Sequence, residues 1–105
     1  MTEVKKYFAV IGNPIHHSLS PKIHKVFAEE LGLNITYEAI LSPLNQFQET
    51  IHQLMKQKLS GANITLPFKK EAYQLAHACS HQAKLAEAVN TFEFKNDQKI
   101  GRAHV

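Results

Sequence analysis

The sequence predicts an α/β domain: a three-layer α/β/α sandwich built on a mostly parallel sheet, with one antiparallel strand near the C-terminus. Three observations predict it. Strand-like and helix-like apolar patterns alternate along the 105 residues, as they do where helices cross between parallel strands. Tyr7-Phe8-Ala9-Val10-Ile11 is an unbroken apolar run, the pattern of a strand buried on both faces. Two segments open on serine followed by proline, Ser20-Pro21 and Ser42-Pro43. That pair joins an N-cap side chain to a residue preset for the first helical turn.

Taken in order, the first strand is stopped by Gly12-Asn13-Pro14. A helix follows from Pro21, its stripe formed by Ile23, Val26, Phe27 and Leu31, and Gly32 suits its end. Thr36 to Leu41 is a second strand. Ser42-Pro43 opens a second helix with Leu44, Phe47, Ile51, Leu54 and Met55 on one face. Gly61 to Leu66 is a short third strand that ends at Pro67. One or two short helices cover Lys70 to Ala88, with Ser80 as a cap between them. Val89 to Phe94 alternates as a fourth strand, Asn96-Asp97 turns the chain, and a fifth strand begins at Lys99.

A chain of 105 residues that is 44% apolar and 20% charged has the size and composition of one globular core. Its net charge of +3 comes from scattered lysines with no run of five, which argues against a nucleic-acid partner. No apolar stretch approaches the length that spans a membrane, and the N-terminal run is too short for a signal peptide. The single cysteine, Cys79, cannot form an internal disulfide and suits core filling in an Ala-rich segment. A cytoplasmic protein is expected. The seven histidines show no metal-ligand spacing, with His52, His77 and His81 reading as helix surface, so no metal is assigned. The four glycines stand apart, so there is no phosphate-cradling loop.

Right-handed crossovers bring the carboxyl ends of parallel strands to one edge, and ligands of open α/β sheets bind beyond that edge. Ser18 and Ser20 follow the first strand there. Two apart, their hydroxyls point the same way before a helix N-terminus, a place that suits an anion such as a carboxylate. The plainer reading has Ser20 capping the helix and Ser18 facing water. After the third strand, Asn63 and Thr65 alternate onto one face and Lys69 follows at a helix start. An amide, a hydroxyl and an ammonium in that arrangement suit a polyhydroxylated ring and proton transfer to an oxygen. A solvated surface lysine is the plainer reading, and Lys70 is its built-in control. Asn90 is a polar residue among Ala88, Val89 and Phe92, and needs partners from a ligand or a turn backbone.

At these residues the chain resembles the shikimate dehydrogenase family. The resemblance rests on three blocks in order: Val10 to His24, with its Gly12-Asn13-Pro14 and Ser18-Leu19-Ser20-Pro21; Gly61 to Lys69; and Ala88-Val89-Asn90-Thr91. It implies reversible, NADP-linked reduction of 3-dehydroshikimate to shikimate in aromatic amino-acid biosynthesis. It further implies that Ser18 and Ser20 hold the substrate carboxylate and that Asn63, Thr65 and Asn90 bind ring hydroxyls. Lys69 is then the catalytic residue, at the oxygen that gains or loses a proton.

The chain departs from the family at its end. The family's Gly-x-Asn-Thr-Asp-Gly block is met by Gly101-Arg102-Ala103-His104-Val105, so the Asp position falls on Val105. Residues 1–105 therefore read as the substrate-binding domain alone, with residues 101–105 as an aberrant tail and no cofactor domain. Such a polypeptide is expected to bind no NADP, to be inactive by itself, and to self-associate through surface a partner domain would cover. A module that binds shikimate or quinate without turning it over is the alternative reading.

Overall fold

The computed structural model describes residues 6–15 and 35–103. The expected helix from Pro21 to Gly32, Ser18 and Ser20 before it, and His104 and Val105 lie outside the described residues.

Among the described residues six strands form one sheet: β1 (Lys6–Gly12), β2 (Ile35–Leu41), β3 (Gly61–Ile64), β4 (Ala78–Cys79), β5 (Thr91–Lys95) and β6 (Gln98–Arg102), in the spatial order β2-β1-β3-β5-β6-β4. β2 and β3 flank β1 in parallel, and β4 pairs in parallel with β6. β5 runs antiparallel to both its neighbours, β3 and β6. Among the described strands it alone opposes the rest, so the sheet is mostly parallel with one reversed strand near the C-terminus, as the sequence predicts.

Alternation along the strands sorts side chains onto two faces. Ala9, Ile11, Ala62, Ile64 and Phe92 share one face and are at most 3% exposed. Against them lie helix α1 (Phe47–Lys56), through Phe47, Ile51 and Leu54, and helix α2 (Lys69–Leu75), through Ala72. Ala83 of helix α3 (His81–Ala86) and the linker residues Phe68 and Val89 complete the same core. Phe47 and Phe68 stack with ring centroids 4.7 Å apart and planes 13° apart. Each such side chain contributes about 1.5–3 kcal/mol by leaving water. The opposite face carries Phe8, Val10, Ile35 and Tyr37, all half-buried. The described helices thus form one layer, and the helix expected from Pro21 lies outside the described residues.

Several boundaries differ from the sequence reading. Ser42-Pro43 does not open a helix. α1 begins at Phe47, with Gln46 as an N-cap that makes no side-chain bond. Residues 43–46 form a turn instead, in which the Gln46 amide donates to the Pro43 carbonyl over 3.1 Å. Ser42 is fully buried, its hydroxyl 3.0 Å from that of Thr50, which donates to the Gln46 carbonyl. Leu44, expected on the helix's apolar face, is 64% exposed in that turn. β3 ends at Ile64 rather than Leu66, because the chain turns: the Phe68 amide donates to the Thr65 carbonyl across the cis Leu66-Pro67 bond.

Ser80 caps α3 as expected, accepting from the Ala83 amide at 3.2 Å. Between α2 and α3 the sequence reading misses β4, whose two residues are too few to show a period. His77 lies in that connection and not on a helix. Its backbone amide donates to the Lys99 carbonyl, and its Nδ1 accepts from the Lys99 amide at 2.8 Å. Cys79 is half-buried at the core margin. The Asn96-Asp97 turn holds both residues at positive φ, 51° and 62°, the conformation of a tight two-residue hairpin. β6 then runs from Gln98 through Gly101 and Arg102.

Candidate functional site

The carboxyl end of β1, the loop after β3 and the approach to β5 meet at one edge of the sheet, and backbone hydrogen bonds hold them there. The Asn13 amide donates to the Leu66 carbonyl at 3.1 Å, and the Thr65 amide donates to the Ile11 carbonyl at 2.9 Å. The Asn13 side chain donates to the Ser42 carbonyl, tying in the end of β2. A side chain at position 12 would collide with the Thr65 methyl and come within 3.2 Å of the Leu66 carbonyl. Glycine at this position is what allows the two loops to close.

Asn63 lies on β3, and Thr65 directly follows the strand's end. Asn63 is exposed, and its amide nitrogen donates to the Tyr37 hydroxyl at 2.6 Å. Thr65 is half-buried beside Gly12. Two further bonds bring the remaining residues in. The Ile64 amide, between Asn63 and Thr65, donates to the Asn90 carbonyl at 2.7 Å, and the Val89 amide donates to the Lys69 carbonyl at 2.9 Å. The 63–69 and 89–90 segments are therefore bound together at the sheet edge. Asn90 precedes β5 rather than starting it. Its side-chain oxygen accepts from the Thr91 hydroxyl at 3.1 Å, and its amide donates to the Arg102 carbonyl. The half-buried side chain thus has a neighbouring hydroxyl as a partner, while its backbone is held by β6.

Lys69 is the first residue of α2 and half-buried, whereas the neighbouring Lys70 is exposed. Of the six expected site residues the structure gathers the segments of four: Asn63, Thr65, Lys69 and Asn90. Ser18 and Ser20 lie outside the described residues.

Sequence reasoning misses Tyr37. It sits on β2, two strands from Asn63, and no local pattern links them; only the register does, since Tyr37 pairs with Phe8 and Phe8 with Gly61, two residues before Asn63. Burial pushes the Tyr37 phenol up from its ordinary value, partly offset by the Asn63 amide. Tyr37 and Asn63 border an open hollow of about 660 Å³ on the half-buried face, lined also by Phe8, Thr91, Glu93 and Arg102. Glu93 there pairs with Lys95 at 3.0 Å and Arg102 at 2.9 Å. The Lys95 hydrogen bond, assisted by Arg102, holds its carboxyl below the usual range.

The described residues do not fit a dinucleotide. Their glycines, Gly12, Gly61 and Gly101, lie within strands β1, β3 and β6 and form no glycine-rich turn into a helix. No group of three metal-ligating side chains occurs among them. No described helix is long and apolar enough to cross a membrane.

Known proteins match this arrangement. Shikimate dehydrogenase (NADP(+)) of Laribacter hongkongensis is 49% identical over 101 residues, which is 96% of this chain and 36% of that protein. The crystal structure of an Ael1 enzyme from Pseudomonas putida matches with a TM-score of 0.88 and 37% identity, over 93% of this chain and 36% of its own. Shikimate 5-dehydrogenase of Thermus thermophilus, crystallised in complex with shikimate, matches with a TM-score of 0.85 and 35% identity, over 92% of this chain and 37% of its own. The chain spans about a third of the length of these relatives. The model of the shikimate dehydrogenase substrate binding domain matches residues 10–92, and the chain belongs to that family.

Proposed function

We propose that this chain is the substrate-recognising part of an NADP-linked shikimate dehydrogenase, acting on shikimate and 3-dehydroshikimate. The observation that carries the reading is the joining of the Asn63–Lys69 and Val89–Asn90 segments at the carboxyl edge of the sheet, where ligands of such sheets bind. In this reading Asn63, Thr65 and Asn90 hydrogen-bond the ring hydroxyls. Ser18 and Ser20 receive the carboxylate. Lys69 is the catalytic residue: its ammonium gives a proton to the ring oxygen as the ketone becomes an alcohol, and takes it back in the reverse direction. A cation at that oxygen also offsets the negative charge that develops on it. The match to a Thermus thermophilus relative crystallised with shikimate supports the choice of ligand.

A polypeptide of these 105 residues binds without turnover in this reading, because the described residues offer no place for a dinucleotide. Gly101 and Arg102, expected to open an aberrant tail, instead belong to β6, and Val105 stands where the family has aspartate, which removes a partner for the Lys69 ammonium. The reading places the protein in the cytoplasm and expects it to self-associate through exposed leucines.

Shikimate titrated into the chain, followed by backbone amide shifts, tests the proposal. Shifts clustered on Ser18, Ser20, Asn63, Thr65, Lys69 and Asn90 are expected, with Lys69→Ala altering the pattern and Lys70→Ala leaving it intact. No shift at millimolar shikimate overturns it.

A further inference from the structure

We propose that Tyr37 is a positioning residue: its phenol oxygen fixes the rotation of the Asn63 side-chain amide and so presets that amide for a ring hydroxyl of the substrate. The inference rests on the reading above, in which Asn63 contacts the ring.

The end torsion of asparagine is broad and ill-determined by the chain itself. Asn63 is exposed on a short strand, so an isolated amide there would rotate and lose part of its binding energy in being ordered. Tyr37 removes that freedom. β2 and β3 both pair with β1, one on each side of it. With neighbouring strands about 4.8 Å apart, the two backbones stand roughly 10 Å from each other. Among apolar side chains with a polar tip, only a long one bridges that gap. The register aims it correctly, because Tyr37, Phe8 and Gly61 form one rung and Asn63 stands two residues further toward the carboxyl edge. The phenol crosses β1 and accepts from Nδ2 of Asn63 at 2.6 Å. With Nδ2 anchored, the opposite amide atom, Oδ1, is the acceptor that Asn63 presents, which suits a hydroxyl and not a ketone at the same ring position. Tyr37 is half-buried, and burial moves its phenol still further above neutrality, so the contact persists across the neutral pH range.

The test is a double-mutant cycle on shikimate affinity, read from amide-shift titrations of the chain. Tyr37→Phe keeps the ring and removes only the oxygen. It is expected to weaken shikimate binding about two- to tenfold, the range of one net hydrogen bond, and to have no further effect once Asn63→Ala is present. An equal loss in both backgrounds would assign Tyr37 a general structural role and overturn the proposal, as would unchanged affinity in Tyr37→Phe alone. If the unmodified chain binds no shikimate, the functional reading itself fails, an outcome distinct from either of these. A second readout needs no variant. One Asn63 side-chain amide proton is expected to be protected from exchange in the free chain, and two equally exposed protons overturn the contact.

Discussion

At the scale of single residues, the tightest constraint falls on a position with no side chain. Gly12 closes β1 where the Thr65 methyl, the Ile15 side chain and the Leu66 carbonyl converge, the latter two within 3.1 and 3.2 Å of where a Cβ would be. Gly12→Ala is expected to lower stability by about 1–3 kcal/mol through overpacking. The drop in denaturation midpoint measures it, and the shift of Thr65 also moves the candidate site. Tyr7 makes a different prediction. Burial, with a hydrogen bond of 2.9 Å to the Glu38 carboxylate, pushes its phenol from 10 up to about 12. The folded chain therefore keeps a proton that the unfolded chain releases as the pH rises through 10. Its stabilising contribution is whole below pH 10 and is lost as the pH climbs through about 12. Tyr7→Phe is expected to flatten the fall of the denaturation midpoint over that window, and an unchanged slope would contradict it. Much of the candidate site is legible at this scale. Asn63, Thr65 and Lys69 stand close in sequence, and their alternation alone puts the first two on one face. Tyr37 is not legible, because its partner is 26 residues away and two strands distant.

Elements are legible in the sequence where a pattern is long and obscure where capping chemistry is ambiguous. Ser80 and Ser42 look alike in sequence, yet Ser80 caps α3 while Ser42 is drawn into the interior. The difference is tertiary. The Ser42 amide donates to the Gly12 carbonyl at 3.2 Å, which extends the β2 pairing beyond Leu41 and delays the helix. Phe47 then starts α1 where its ring meets that of Phe68. That stack joins α1 to the N-cap of α2, next to Lys69. Phe68→Ala is expected to cost about 3–5 kcal/mol, a large share of the 5–15 kcal/mol typical of a domain. Thermal unfolding measures the loss. A variant that stays folded is expected to lose shikimate binding as well, since the helix start of α2 is no longer held by the Phe47 ring.

Across the whole molecule, apolar surface is unevenly spent. The face carrying Ala9, Ile11 and Phe92 is sealed by α1, α2 and α3, while Leu41, Leu44 and Leu66, near the carboxyl edge, are 58%, 64% and 69% exposed. Exposed leucines grouped in this way are the kind of surface through which chains associate. Sedimentation equilibrium is expected to show a mass that rises with concentration, and Leu44→Glu with Leu66→Glu is expected to restore the monomer. A monomer mass at every concentration would count against this. The single reversed strand also matters at this scale. Because β5 runs against β3, its starting end, with Asn90, lies beside the finishing end of β3, and the two contribute to one edge.

The α/β class, the order of five of the six described strands, the one reversal and the family through its three residue blocks are written in the chain itself. These are written in local periods and short motifs, which need no knowledge of neighbours in space. Tertiary structure alone decided where α1 begins, that β4 exists, that Ser42 is interior, and that Tyr37 reaches Asn63. Each of these depends on which strand lies beside which and in what register, and pairing between distant segments leaves no period in the chain to read.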